Sequence, residues 1–191
     1  QLATMAESPQ ELQDALKSLM VGADRAAYLI DQLLDLARIE ALADESGVPL
    51  GAVSLEDLWQ SLMYELAPRA AKREIELKVN FDIPNVNGHG FALSLMLRNL
   101  VANAIAYTPQ GGRVEVTAVQ LNGMALLRVD DSGPGIPAHE REHAFERFNR
   151  LGQTKIEGVG LGLSIVLSVV ALPRAKVELL ASPLGGLRVQ V

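Results

Sequence analysis

An α/β sandwich, one mixed sheet of about five strands covered by helices on one face, is the fold these 191 residues predict. Two observations lead there. Segments with helical apolar spacing alternate with short β-branched runs, and Asn122-Gly123 between two such runs is a strong hairpin signal that excludes a purely parallel sheet. A third observation sets the N-terminus apart. Leu12, Leu16, Leu19, Ala23, Ala26, Ile30, Leu33 and Ala37 repeat at spacings of four and three, a heptad seam sustained to about Ala41. Leu29, Leu34 and Leu36 widen that seam, as a four-helix bundle requires.

Taken in order, Ser8-Pro9-Gln10-Glu11 has the form of a capping box with Pro at the first helical position, so the bundle helix starts there. Residues 1–45 are expected to be a truncated helical hairpin, chiefly its second helix, and 46–191 a separate domain. Asp44 to Ala52 reads as a linker by its Gly, Pro and Ser. Ser54 with Asp57 opens a helix through Leu58, Leu62, Leu66 and Ala70. Glu74 to Phe81 alternates as a strand, and Pro84 to Gly90 is a turn. Ala92 to Tyr107 is a helix; Arg113 to Leu121 and Met124 to Asp130 form the hairpin. Leu161 to Leu172 is an apolar helix ended by Pro173. Ala175 to Ala181 and Leu187 to Val191 are closing strands.

Composition narrows the function. The net charge of −6 argues against nucleic acid as the main partner, because phosphate backbones need a basic face. With no cysteine there is neither a disulfide nor a thiolate metal site. The longest apolar candidate, Leu161 to Pro173, falls short of the roughly 18–20 residues of a membrane span. The first residue is Gln, so a piece of a longer chain is expected.

Three stretches carry polar chemistry. In LRNLVANAIAYTP, residues 97–109, Asn99 and Asn103 stand four apart on one helix face and Tyr107 continues the stripe. Neutral amides in place of Lys or Glu suit holding something polar. Asp131-Ser132-Gly133-Pro134-Gly135-Ile136 follows a strand; its carboxylate could accept from an exocyclic amine, and its glycines permit close approach. Gly158-Val159-Gly160-Leu161-Gly162-Leu163 runs into a helix, where backbone N–H groups and the positive dipole end face an anion. It is neither a Rossmann fingerprint nor a P-loop. Between the last two lies Phe145-Glu146-Arg147-Phe148-Asn149-Arg150; Arg147, Arg150 and Lys155 are cations available for phosphate.

In that order the stretches resemble the N, G1, F and G2 boxes of the ATP-binding domain of bacterial sensor histidine kinases, within the wider GHKL group. SPLGGLRV resembles the closing G3 region, and IDQLLDLARIE is similar to the end of the second helix of the family's dimerisation and phosphoacceptor domain. The resemblance covers essentially the whole chain. It implies a Bergerat-type ATP-binding fold with ATP and Mg2+ as cofactors. Asn103 would be the magnesium ligand, and Asn99 would support phosphates or metal. Asp131 would read the adenine amine, with Gly133 and Gly135 letting the base approach and Ile136 beside it. Tyr107 would pack along the nucleotide and Arg150 would reach the phosphates from a lid. Gly158, Gly160 and Gly162, with Leu161 and Leu163 between and after them, would hinge that lid and offer N–H groups to the phosphates. The implied chemistry is transfer of the γ-phosphoryl to a histidine nitrogen by positioning and charge neutralisation. Relay to an aspartate of a response regulator would follow. A homodimer through the bundle is implied, in the cytoplasmic portion of an inner-membrane protein that reaches the membrane only through other segments.

The sequence also departs from the family pattern. Ala106 stands where Lys or Arg often contacts phosphate, His89 replaces an Asp, Val159 replaces a small hydroxyl residue, and Pro173-Arg174-Ala175 replaces His-Gly-Gly. None of His89, His139 or His143 lies in the acceptor context His-Glu-x-x-Ser/Thr-Pro, so the phosphoacceptor is expected outside these residues. Two alternatives remain: a GHKL ATPase, for which no Glu stands in the N box, and a degenerate dimerisation or scaffold module. His139-Glu140-Arg141-Glu142-His143 matches H-E-x-x-H, but no third ligand is evident and the run is charged, so a solvated turn is expected.

Overall fold

The computed structural model describes residues 9–44, 50–149, 160–172 and 175–191. Ser8, Arg150, Lys155, Gly158, Val159, Pro173 and Arg174 lie outside the described residues, and so do the expectations placed on them. Four helices are described: α1 Pro9–Asp44, α2 Leu55–Lys72, α3 Gly90–Tyr107 and α4 Gly162–Ala171. The strands are β1 Gly51–Ser54, β2 Glu76–Phe81, β3 Asn85–Gly88, β4 Arg113–Leu121, β5 Met124–Asp131, β6 Glu178–Ala181 and β7 Leu187–Gln190.

The main sheet has five strands in the order β2-β4-β5-β7-β6, parallel between β2 and β4 and antiparallel elsewhere. The expected mixed sheet is therefore present. Its period-2 alternation sends Val114, Val116, Ala118, Val129, Leu179 and Val189 inward, all buried. Of these, Val114, Val116, Val129, Leu179 and Val189 meet Leu58, Leu62 and Leu66 of α2, Leu95 to Leu97, Leu100, Val101 and Ile105 of α3, and Ile165, Val166, Val169 and Val170 of α4 in one core. On the other face Glu76 pairs with Arg113 at 2.8 Å and Lys78 at 3.4 Å, so that face stays polar. The hairpin forms at Asn122 (φ 52°) and Gly123 (φ 81°), both left-handed as a two-residue turn demands.

Three readings need correction. The linker and the Pro84–Gly90 turn hold β1 and β3, which pair antiparallel from Gly51↔Gly88 to Ser54↔Asn85. Their four residues each are too short to show a clear alternation. Among the described residues, α3 rather than the helix at 162–171 has the length and hydropathy of a membrane span, 18 residues at mean hydropathy 1.2. It is instead the core helix, 56% buried. The last strands are also shorter than expected, Glu178–Ala181 and Leu187–Gln190.

Local chemistry sets the helix starts. Ser54 Oγ accepts from Asp57 N at 3.2 Å, capping α2. His89, which replaces the family's usual Asp, caps α3, its Nδ1 accepting from Ala92 N at 3.4 Å, a long bond. At the far end of α3, Arg73 donates to the carbonyls of Ala106 (2.7 Å) and Thr108 (2.8 Å), fastening α2 to the negative end of α3's dipole.

Helix α1 docks through its second half. Gln32, Asp35, Leu36 and Ile39 are buried, at a spacing that makes one face. The heptad seam points elsewhere: Leu12, Leu16, Leu19, Ile30 and Leu33 are exposed, Leu19 at 58%.

Candidate functional site

A pocket opens between α3, α4, the end of β5 and the loop after it. Asn103, Tyr107, Asp131, Gly135, Ile136, Gly160, Gly162 and Leu163 all line it, together with Ala106, Pro134 and Leu187. These are most of the residues singled out from sequence. Asn99 is the exception on its stripe. It is buried, its Nδ2 donating to Leu95 O at 2.8 Å and its Oδ1 accepting from Gln32 Nε2 at 3.1 Å, so α1 occupies its amide. Gly133 lies just behind the wall and Leu161 is fully buried in the core beneath α4.

The carboxylate wall is held by backbone. Asp131 Oδ1 accepts from Gly133 N at 2.8 Å and Leu187 N at 3.0 Å. Its Oδ2 takes no hydrogen bond among the described residues, which leaves an acceptor for a ligand. Burial pushes the Asp131 carboxyl above the usual carboxylate range; the two N–H bonds pull it back, and the charge of Asp130 adds to the rise. Asp130 itself is neutralised on its other side by Arg188, with Nε to Oδ1 at 2.9 Å and Nη2 to Oδ2 at 3.0 Å, and by Ser182 Oγ at 2.8 Å. Gly186 is a residue sequence reasoning missed. A Cβ there would lie 2.1 Å from Asp131 Oδ1, so only glycine lets the β6–β7 turn close on the carboxylate. The Gly185-Gly186 pair signalled a turn but not which glycine touches the site.

The opposite wall is the start of α4. No side chain caps it, and Gly162 and Leu163 face the pocket. A Cβ on Gly162 would lie 2.7 Å from Asn103 Nδ2, so glycine is what lets the open helix end approach that amide. An uncapped N-terminus beside a carboxamide is a place for an anion and its counter-ion. Phe148 N donates to Gly160 O at 2.9 Å, which brings the flanks of residues 150–159 together at this same edge.

Tyr28 and Gln32 of α1 and Arg69 of α2 also line the pocket, and sequence reasoning missed all three. Nothing local marks them; they reach the site only through the packing of α1 and α2. The H-E-x-x-H run forms no α-helix. It spans two short 3-10 turns, Ala138–Glu140 and His143–Phe145, and His143 pairs with Glu146 at 2.7 Å. Among the described residues no three acidic, His or Cys groups cluster as a metal site.

A mixed five-stranded sheet carrying an acceptor carboxylate on one side of a pocket and an open helix end on the other defines an ATP-binding domain of the GHKL type. The sequence pattern of histidine kinase-, DNA gyrase B- and HSP90-like ATPases matches residues 88–191, and the chain belongs to that family, on its sensor histidine kinase branch. Sensor protein QseC of Escherichia coli O157:H7 is 36% identical over 187 residues, covering 97% of the chain and 40% of QseC. The chain thus spans two fifths of the length of that curated relative. The solved mycobacterial sensor histidine kinase MprB matches 74% of the chain and 95% of its own at 31% identity and a TM-score of 0.65. Full-length ShkA in complex with AMPPNP matches all of the chain, and 40% of its own, at 26% identity and a TM-score of 0.75.

Proposed function

We propose that residues 46–191 bind ATP with magnesium and that residues 1–45 contribute the second helix of a dimerisation hairpin, in a sensor histidine kinase. The observation that carries the reading is the meeting of Asn103, the open start of α4 and the free oxygen of Asp131 in one pocket. The residues present suit the ligand. Asp131 Oδ2 would accept from the adenine amine, and Tyr107 and Ile136 would flank the base. The N–H groups of Gly162 and Leu163 would face the phosphates, joined by Arg150. Magnesium needs only one or two protein oxygens when phosphate and water complete its shell, and Asn103 offers one. ATP would supply the γ-phosphoryl; the protein's part is to hold it in line and neutralise its charge.

Transfer to a histidine on the hairpin, then relay to a response-regulator aspartate, is the activity this arrangement serves in a membrane-anchored whole. Calorimetric titration with Mg-ATP tests the first step: binding is expected, and Asn103→Ala should weaken it by about tenfold or more. For the second step, labelled ATP is supplied with a separate phosphoacceptor domain. Binding without any transfer would favour the scaffold alternative and sink the kinase.

A further inference from the structure

We propose that Arg69, on the last turn of α2, binds the phosphates of the nucleotide and provides the counter-charge that Ala106 on α3 does not. The inference rests on the ATP reading of the same pocket. A nucleoside triphosphate brings several negative charges, and the chain itself is net −6. The walls offer carboxamides, backbone N–H groups and one carboxylate. Among the described residues lining the pocket, Arg69 is the only Lys or Arg.

The fold places it there. Arg73, one turn further on, spends its guanidinium on the carbonyls of Ala106 and Thr108, at 2.7 and 2.8 Å. That clamp fixes the end of α2 against the end of α3. Four residues back lie on the same helix face, so Arg69 falls beside Asn103, Ala106 and Tyr107. Ala106 meets the pocket with a methyl group and leaves the space open. Neighbouring arginines are engaged: Arg98 with Asp35, and Arg147 with Glu40 at 2.7 Å. Among the described residues Arg69 is held by Glu65, at 3.6 Å with both side chains nearly half exposed, a contact weak enough to release. The Tyr28 hydroxyl on the facing helix registers the same charge. Burial pushes its pKa up, and Arg69 is the strongest influence pulling it down.

Titration of the 191-residue chain with Mg-ATP and with adenosine separates phosphate binding from a structural role. Arg69→Ala should lower Mg-ATP affinity about tenfold and leave adenosine affinity within about twofold, the size of one lost charge-assisted contact. Arg69→Lys should restore part of the loss. Adding Ala106→Lys to Arg69→Ala should restore most of it, by placing an ammonium in the same space from α3. Unchanged ATP affinity in Arg69→Ala, or equal losses for ATP and adenosine, overturns the assignment while the ATP reading stands. Absence of ATP binding by the unaltered chain removes both.

Discussion

A buried carboxylate is an expensive acceptor, and Asp131 shows both sides of it. Its pKa is raised in the folded chain, so the folded state holds the proton more tightly than the unfolded chain does. Stability therefore falls as pH rises from the ordinary carboxylate range through the raised value. Asp131→Asn keeps an oxygen for the N–H groups of Gly133 and Leu187 and removes the charge. The variant should melt higher than the unaltered chain at pH 7 and lose ATP binding by about tenfold or more, since an amide NH2 would then face the adenine amine. A lower melting temperature would contradict the cause assigned to the shift. The same reasoning makes ATP affinity fall on acidification at a higher pH than an ordinary aspartate would give, readable by titration from pH 7 downward. Thr108 is simpler. Its Oγ1 is the buried side-chain polar atom with no partner among the described residues, and the residue is fully enclosed. Thr108→Val keeps the shape and discards the unpaired hydroxyl, so stability should hold or rise by up to about 1 kcal/mol by chemical denaturation.

At the scale of the element, α1 is joined to the ATP-binding domain by polar groups set among Leu36 and Ile39. Gln32 donates to Asn99 and also to Tyr28 Oη at 3.0 Å, and Asp35 meets Arg98. Gln32→Leu would bury more apolar surface yet strand Asn99 Oδ1, so a loss of about 1–3 kcal/mol is expected. Faster amide exchange along α1 than along α3 in that variant would locate the loss in the docking. Pattern alone read the core of this domain well, because α2, α3, β4 and β5 each keep one period over many residues. It read β1 and β3 as linker and turn because four residues hold too little pattern, and their pairing is a contact across 36 intervening positions of sequence, from Gly51 to Gly88 at its widest. The site was legible where backbone chemistry announces it, at Asp131, Gly135 and Gly162. It was illegible at Arg69, Gln32 and Tyr28, whose roles come from which helices touch. The Asn99/Asn103 stripe was read as one wall, but the two amides face different partners, α1 for the first and the pocket for the second.

For the molecule as a whole, the exposed seam of α1 is an unfinished apolar surface. Leu12, Leu16, Leu19, Ile30 and Leu33 stand in water at heptad spacing, while the docked face lies to one side of them. The chain should self-associate through this seam, measurable by sedimentation over micromolar concentrations. Leu19→Glu with Ile30→Glu should return it to monomer with Mg-ATP affinity unchanged; a monomeric unaltered chain would defeat the expectation. The join between α1 and α3 has a further consequence. Successive residues of a helix are about 100° apart and rise 1.5 Å. Turning α1 by one position would swing Gln32 off Asn99 and Asp35 off Arg98 together, and present Leu33 or Asp31 to a polar partner. The rod that carries the seam and the helix that carries Asn103 are therefore joined by two polar contacts that share one helical register, so a turn of α1 disturbs both of them at once.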